Sequence, residues 1–269
     1  MLKQRITTAV VALLVLLSAM WLLSNVLWGV LSAALIGIGA WEWAMLAAFT
    51  RRGRALFVAL VVGSCVGLLP VSAGEPLPWM VAIWSLACLF WMLLGLPWIV
   101  RRFHWRQGRV LAVAGWLVLV PAWLAGVFFQ RMPLLLLAVM AVIWIADSAA
   151  YFAGKRFGRR RLAPLVSPGK TWEGVVGGCA GVLFYWVLLA VPTYVLMPDL
   201  GQWRVLLTFV LMTAFGIVGD LFESWMKREA GVKDSGTVLP GHGGILDRID
   251  ALVAALPLAA LASVVLWTP

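Results

Sequence analysis

Charge is scarce in this chain: Asp, Glu, Lys and Arg make up only 12% of its 269 residues, against about a quarter in a soluble domain. That excludes a water-soluble globule. With 64% of the residues apolar, too few polar side chains remain to coat such a core. Cysteine is nearly absent as well. Cys65, Cys88 and Cys179 lie far apart in apolar stretches, without CxxC or metal-ligand spacing, so a zinc site is excluded and buried, inert thiols are expected. No small-x-small cleavage site follows the apolar run from Ala9 to Leu23. Lys3 and Arg5 are therefore expected to precede an uncleaved first helix rather than a signal peptide. The paired broken segments that mark many transporters with inverted repeats are also missing. The N-terminal half is almost free of intramembrane charge, Glu42 being the exception.

What is present is a series of apolar runs of roughly 20 residues, each long enough to cross a bilayer core about 30 Å thick. They fall near 6–24, 26–48, 54–73, 78–100, 109–129, 132–153, 172–197, 203–226 and 245–267. The expected fold is an all-α, polytopic integral membrane protein of about nine transmembrane helices, with a polar site on the cytoplasmic side. If the N-terminus is cytoplasmic and the spans alternate, all but Arg131 and Arg204 of the 21 Lys and Arg fall on one side, as the positive-inside rule requires. The net charge of +10 thus sits in short loops facing anionic lipid, and no nucleic-acid partner is expected. Trp41, Trp43, Trp79, Trp98, Trp203 and Trp267 lie near span ends and are expected to anchor at the interface. Residues 1–135 are expected to be a scaffold, with homodimer or lipid contacts as their open roles. Residues 136–269 carry the chemistry.

Three constellations concentrate that chemistry. Asp147, Tyr151 and Lys155 follow one another at single-turn spacing on one helix face. This predicts a carboxylate aimed into a polar cavity with cations at its mouth, or an Asp147–Lys155 pair. Ser167-Pro-Gly-Lys170-Thr171-Trp-Glu173-Gly174 places Thr171 as a helix cap and Lys170 at a helix N-terminus suited to phosphate. A P-loop is excluded, because Pro164 stands where its first glycine belongs and no preceding strand is expected. Gly174, Gly177, Gly178 and Gly181 predict close helix packing. Asp220, Glu223 and Lys227 share one helix face, with Ser224 and Arg228 on the adjoining stripe. Lys233, Asp234 and the run Pro240-Gly-His242-Gly-Gly244 follow, and Asp247 and Asp250 open the last span. Carboxylates from two helix ends would repel and resist ionisation when buried. A divalent cation removes both costs, and hard oxygen ligands favour magnesium. The glycine-rich loop lets backbone N–H groups approach a phosphate, and His242 is placed to donate to a phosphate oxygen or act as an acid.

The run Ser224-x-x-Lys227-Arg228, four residues, Lys233-Asp234, Pro240-x-His242-Gly243-Gly244 and Asp247-Arg248-x-Asp250 resembles the signature of phosphatidate cytidylyltransferases, or CDP-diacylglycerol synthases. The blocks beginning at Asp147 and Ser167 match the same pattern, and the matching region runs from about Asp147 to Asp250. The resemblance implies condensation of CTP with phosphatidic acid to CDP-diacylglycerol and pyrophosphate. In that chemistry the lipid phosphate attacks the CTP α-phosphorus, so positioning and charge neutralisation do most of the work. It implies that Asp220 and Asp247 hold Mg2+ with Asp250 and Glu223 as ligands or supports. A monovalent ion such as K+ is a candidate for a second cation position. It also implies that Lys170, Lys227, Arg228, Lys233 and Arg248 bind phosphates, with Ser224 and Asp147 on the substrate side and His242 in the chemistry. Membrane lipid would enter between helices while CTP arrives from the cytoplasm. The compact chain points to a bacterial inner membrane. Enzymes that consume CDP-lipid carry a D-G-x-x-A-R motif, which is absent here.

Overall fold

A computed structural model describes residues 2–72, 76–101, 103, 108–196, 201–238, 241 and 243–267. Helices α1 (Leu2–Leu22), α2 (Asn25–Leu46), α3 (Arg51–Ser72), α4 (Pro78–Phe90), α5 (Leu96–Arg101), α6 (Gly108–Gln130), α7 (Pro133–Phe157), α8 (Trp172–Leu196), α9 (Gln202–Glu229), α10 (Leu246–Ile249) and α11 (Leu252–Val265) follow the expected spans closely. Among the described residues seven stretches, against the nine expected, are long and apolar enough to cross a membrane, α4 and α5 together forming one of them. A π-helical turn, Trp91–Gly95, joins α4 to α5. The segments Thr7–Leu22 and Leu252–Val265 are shorter apolar helices.

The short break between α1 and α2 at Ser24-Asn25 is built by polar side chains. Ser24 caps α2 by accepting from Leu27 N–H. Asn25 donates to Val127 O and Gln130 Oε1 at 2.8 Å each, and Gln130 donates to the Met20 and Leu23 carbonyls. The backbone groups freed by the break are thereby satisfied inside the bundle, as an apolar medium requires.

The core reverses one expectation. Trp43 and Trp98 are only 2% and 4% exposed. With Phe90, Trp91 and Trp225 they surround Phe222 at centroid distances of 5.5–6.1 Å. The π-helical turn sits within this cluster. These tryptophans tie α2, α4, α5 and α9 together rather than anchoring at a headgroup layer, whereas Trp41 and Trp203 are exposed, as anchors are. The thiols also divide: Cys65 and Cys88 are buried, but Cys179 is exposed on α8, a helix with little of its surface inside the bundle.

The glycines of α8 do what their spacing predicts. A Cβ at Gly177 would run into Ala153, one at Gly181 into Ala149, and those at Gly174 and Gly178 would press on the Ala150 and Ala146 carbonyls at 3.0 Å. Small residues let α7 and α8 approach closely where no hydrophobic force drives helices together. Gly177→Val is expected to wedge the pair apart and destabilise the protein by about 1–3 kcal/mol, read as a lower melting midpoint in detergent. An unchanged midpoint would contradict this packing.

Between α7 and α8 the chain forms a small hairpin, which the sequence reading did not anticipate. Strand β1 (Arg161–Ala163) pairs antiparallel with β2 (Ser167–Thr171), Arg161 facing Thr171 and Ala163 facing Ser167. Gly169-Lys170-Thr171 therefore lies in a strand. A strand thus does precede Gly-Lys-Thr, against expectation, and the exclusion of a P-loop stands on Pro164 and on Gly169-Lys170-Thr171 lying in β2 rather than in a loop. Thr171 Oγ1 accepts from Gly174 N–H at 3.1 Å and caps α8. Glu173 accepts from the Arg159 and Arg160 N–H groups and holds the turn that leaves α7.

Candidate active site

The C-terminal ends of α7 and α9, strand β2 and the short helix α10 meet at one end of the bundle. A cavity of about 710 Å³ opens there. Asp147 of α7, Lys170 of β2, Asp220 of α9 and the pair Asp247 and Asp250 contribute to its wall. It continues along α9 past Gly216 to Thr213, roughly 10 Å at 1.5 Å per residue, and its deeper wall includes Ile143 and Ile217. A larger groove of about 1000 Å³, lined by Phe49, Phe57, Leu60 and Trp225, contains none of these acids.

Gly219 brings the two acidic elements together. A Cβ at that position would collide with the Asp250 carbonyl, so α9 and the end of α10 touch backbone to backbone beside Asp220. Asp220 forms an ion pair with Lys170 and accepts from Ser224 Oγ at 3.3 Å. Asp147 reaches the same cavity and is not paired with Lys155, whose ammonium lies 5.8 Å from the centre of the Tyr151 ring.

Behind the cavity wall lies a second, more buried network. Lys227 Nζ donates to Glu223 Oε2 at 2.6 Å and to Asp247 Oδ1 at 2.7 Å. Asp247 Oδ2 accepts from Ser235 N–H, Ser235 Oγ and Gly244 N–H at 2.9–3.0 Å. Burial alone would raise the Asp247 carboxyl. The hydrogen bonds from Lys227, Gly244 and Ser235 overcome that and hold it down at about 2. Asp250 is pushed the other way, well above the usual carboxylate range, first by burial and then by the Asp220 carboxylate. Of these two acids one is ionised by its partners, and the other lacks enough positive charge around it.

The loop that carries Gly243 and Gly244 turns through left-handed backbone at Gly241 (φ 76°) and Gly243 (φ 85°), where a side chain would be strained. Gly244 N–H is taken by Asp247 rather than left for a phosphate. His242 lies outside the described residues. Arg228 is exposed and its Nε donates to Val166 O at 3.4 Å, steadying the hairpin. Lys233 and Arg248 are exposed, and neither is among the residues lining the cavity.

Among the described residues, no three of His, Cys, Asp and Glu form a metal cage by themselves. Magnesium seldom asks for one, since it keeps waters and takes one or two carboxylates with substrate phosphates. Two features of the donor set fit it. Asp220 and Asp250 line the same cavity with like charge facing like charge, and Glu223 Oε1 is buried without a hydrogen-bond partner.

One contributor to this site had only a faint signal in the sequence. Glu42, the lone intramembrane acid of the N-terminal half, accepts hydrogen bonds from Ile245 and Leu246 N–H, and the Ser235 hydroxyl lies 3.0 Å from it, as it does from Asp247, so that one proton is shared between the two carboxylates.

The fold and site define a polytopic membrane protein that gathers four aspartates with Lys155, Arg161 and Lys170 around a cavity between its helices. The family model described as "Cytidylyltransferase family" matches residues 3–266, and the chain belongs to that family. A phosphatidate cytidylyltransferase of Pseudomonas aeruginosa is 44% identical over 97% of this chain and 96% of its own length. One from Haemophilus influenzae is 34% identical over 96% of each chain. One from Thermotoga maritima is 46% identical over 46% of each.

Proposed function

We propose that the protein is a phosphatidate cytidylyltransferase that joins CTP to phosphatidic acid, giving CDP-diacylglycerol and pyrophosphate. The observation that carries this reading is one cavity with Asp147, Asp220, Asp247 and Asp250 beside Lys155, Arg161 and Lys170 at one end, and with Ile143 and Ile217 in its wall beyond. A substrate with a charged head and acyl chains suits that space, and full-length similarity to proteins of that name supports the same activity.

A lipid phosphate oxygen forms a bond to the CTP α-phosphorus, and the bond from that phosphorus to the bridging oxygen of pyrophosphate breaks. The lipid phosphate is already ionised near neutral pH, so no strong general base is required. Lys170, freed from Asp220, would meet one of the arriving phosphates. Lys227 holds Asp247 ionised and fixed in place. Magnesium, when bound, would be held by Asp220 and Asp250, with Asp247 and Glu223 supporting, and would supply positive charge to the phosphates. The cavity walls orient the two anions and limit water, which is where most of the rate gain in phosphoryl transfer arises. With the basic loops placed inside, CTP enters from the cytoplasm of a bacterial inner membrane and the lipid enters between helices.

The test is incorporation of radiolabelled CTP into lipid by purified protein in detergent. Label is expected in lipid only when magnesium and phosphatidic acid are both present. Absence of labelled lipid from folded protein would overturn the assignment and favour transport, which detergent solution cannot support because it has no second compartment.

A further inference from the structure

Glu42 is the most deeply buried carboxylate among the described residues, at 1% exposure. It belongs to α2, whose large interfaces are with α3 and α6. None of its hydrogen bonds serves those interfaces. Oε1 accepts from Ile245 N–H at 3.0 Å, and Oε2 accepts from Leu246 N–H at 2.8 Å. Ser235 Oγ lies 3.0 Å from Oε2. Among the described residues no cation is paired with Glu42. An apolar side chain would suit α2 as a membrane helix, and burying a carboxylate there is costly. The donors that offset that cost come from Ser235, Ile245 and Leu246.

The backbone beside these donors is moulded around the carboxylate. A Cβ at Gly244 would strike both Glu42 Oε2 and Ser235 Oγ, and one at Gly236 would come within 2.5 Å of Glu42 Oε1. These glycines allow the main chain to close directly on a side chain from the other half of the protein. Ser235 then connects this clamp to the site, since its hydroxyl also lies 3.0 Å from Asp247 Oδ2 and its N–H donates to the same oxygen. A continuous series of contacts runs from Glu42 through Ser235 to Asp247, and on through Lys227 to Glu223.

We propose that Glu42 is a positioning residue for cytidylyl transfer, acting through Ser235 and the turn at Ile245 and Leu246 to fix where the Asp247 carboxylate sits. The scaffold helices thereby set the geometry of the site instead of only surrounding it. This inference rests on the cytidylyltransferase reading for its kinetic part. Its structural part stands separately.

The experiment uses the full-length protein in detergent and compares wild type, Glu42→Gln, Ser235→Ala and the double variant. Glutamine keeps the size but sets an NH2 group against backbone donors. In Glu42→Gln, kcat is expected to fall about tenfold or more while KM for CTP stays within about threefold. Amide exchange should quicken in the peptide covering 235–246 and stay unchanged in α6. The double variant should lose no more than the worse single variant, because both changes break one contact series. The proposal is overturned by wild-type kcat in folded Glu42→Gln, by unaltered exchange in that peptide, or by losses that multiply in the double variant. If Glu42→Gln does not fold, Ser235→Ala decides: kcat lower by about threefold or more at an unchanged melting midpoint supports the clamp, and unchanged kcat sinks it. Failure of wild type to make CDP-diacylglycerol would count against the enzymatic assignment, and the exchange comparison would still decide the clamp.

Discussion

Lys227→Met should yield a protein that melts earlier and turns over little substrate. The ammonium of Lys227 lies between Glu223 and Asp247, whose side chains are 5% and 4% exposed. Methionine fills similar space but leaves two buried carboxylates beside each other without a cation. Breaking a buried pair by removing one partner costs about 3–5 kcal/mol, most of it from the charge left behind. The pH dependence gives a second readout. In the wild type Asp247 is held down at about 2, so its contribution to stability is fully present above the unfolded carboxylate range, near pH 4, and is lost as the pH falls through about 2. Without Lys227 that hold weakens, and acidification from pH 7 to 5 should stabilise the variant relative to wild type. Melting midpoints of both proteins across that range would test this. A variant that matches wild type in midpoint and turnover would show that Lys227 does not hold the site together.

Much of this arrangement can be read from the sequence because a bilayer imposes length. Runs such as 109–129 and 203–226 read as helices of nearly those bounds, since a helix alone satisfies a single segment's backbone within itself in hydrocarbon, and about 20 apolar residues is a helix's spanning length. The glycines of α8 and the loop at Gly243 were legible for a similar reason, as each occupies a place only glycine fits. The division of labour among the acids was not. Helical spacing puts Asp220, Glu223 and Lys227 on one face, yet only the position of α10 sends Asp220 to the cavity and Glu223 and Lys227 behind it. The hairpin at Arg161–Thr171 is too short to show a strand period. Trp43 and Trp98 sit at span ends in the sequence but meet Phe222 in space, which position along the chain does not reveal. Glu42 gave a true signal, a single acid in an apolar helix, but its donors lie roughly 200 residues away.

Asp220→Asn should leave the fold standing and remove most of the chemistry. Asparagine keeps the shape and an oxygen for the Ser224 hydroxyl, and the residue is 27% exposed at the cavity, so little burial is disturbed. What is lost is a negative charge facing Asp250 and Lys170. If magnesium is bound here, the variant should need a higher concentration of it for half-maximal turnover, and kcat should fall by on the order of 10²–10³, as when a preorganised electrostatic group is removed from an active site. The loss of charge also relieves Asp250 of its like-charged neighbour and leaves Lys170 without its partner, so phosphate affinity need not fall with turnover. That separates a ligand role from a packing role, because misfolding would depress both together. The measurement is a magnesium titration of labelled-lipid formation by purified variant and wild type, with Lys3→Ala as a control remote from the cavity. Turnover retained at wild-type magnesium demand would remove Asp220 from the metal site and shift the catalytic burden to Asp250 and Asp247.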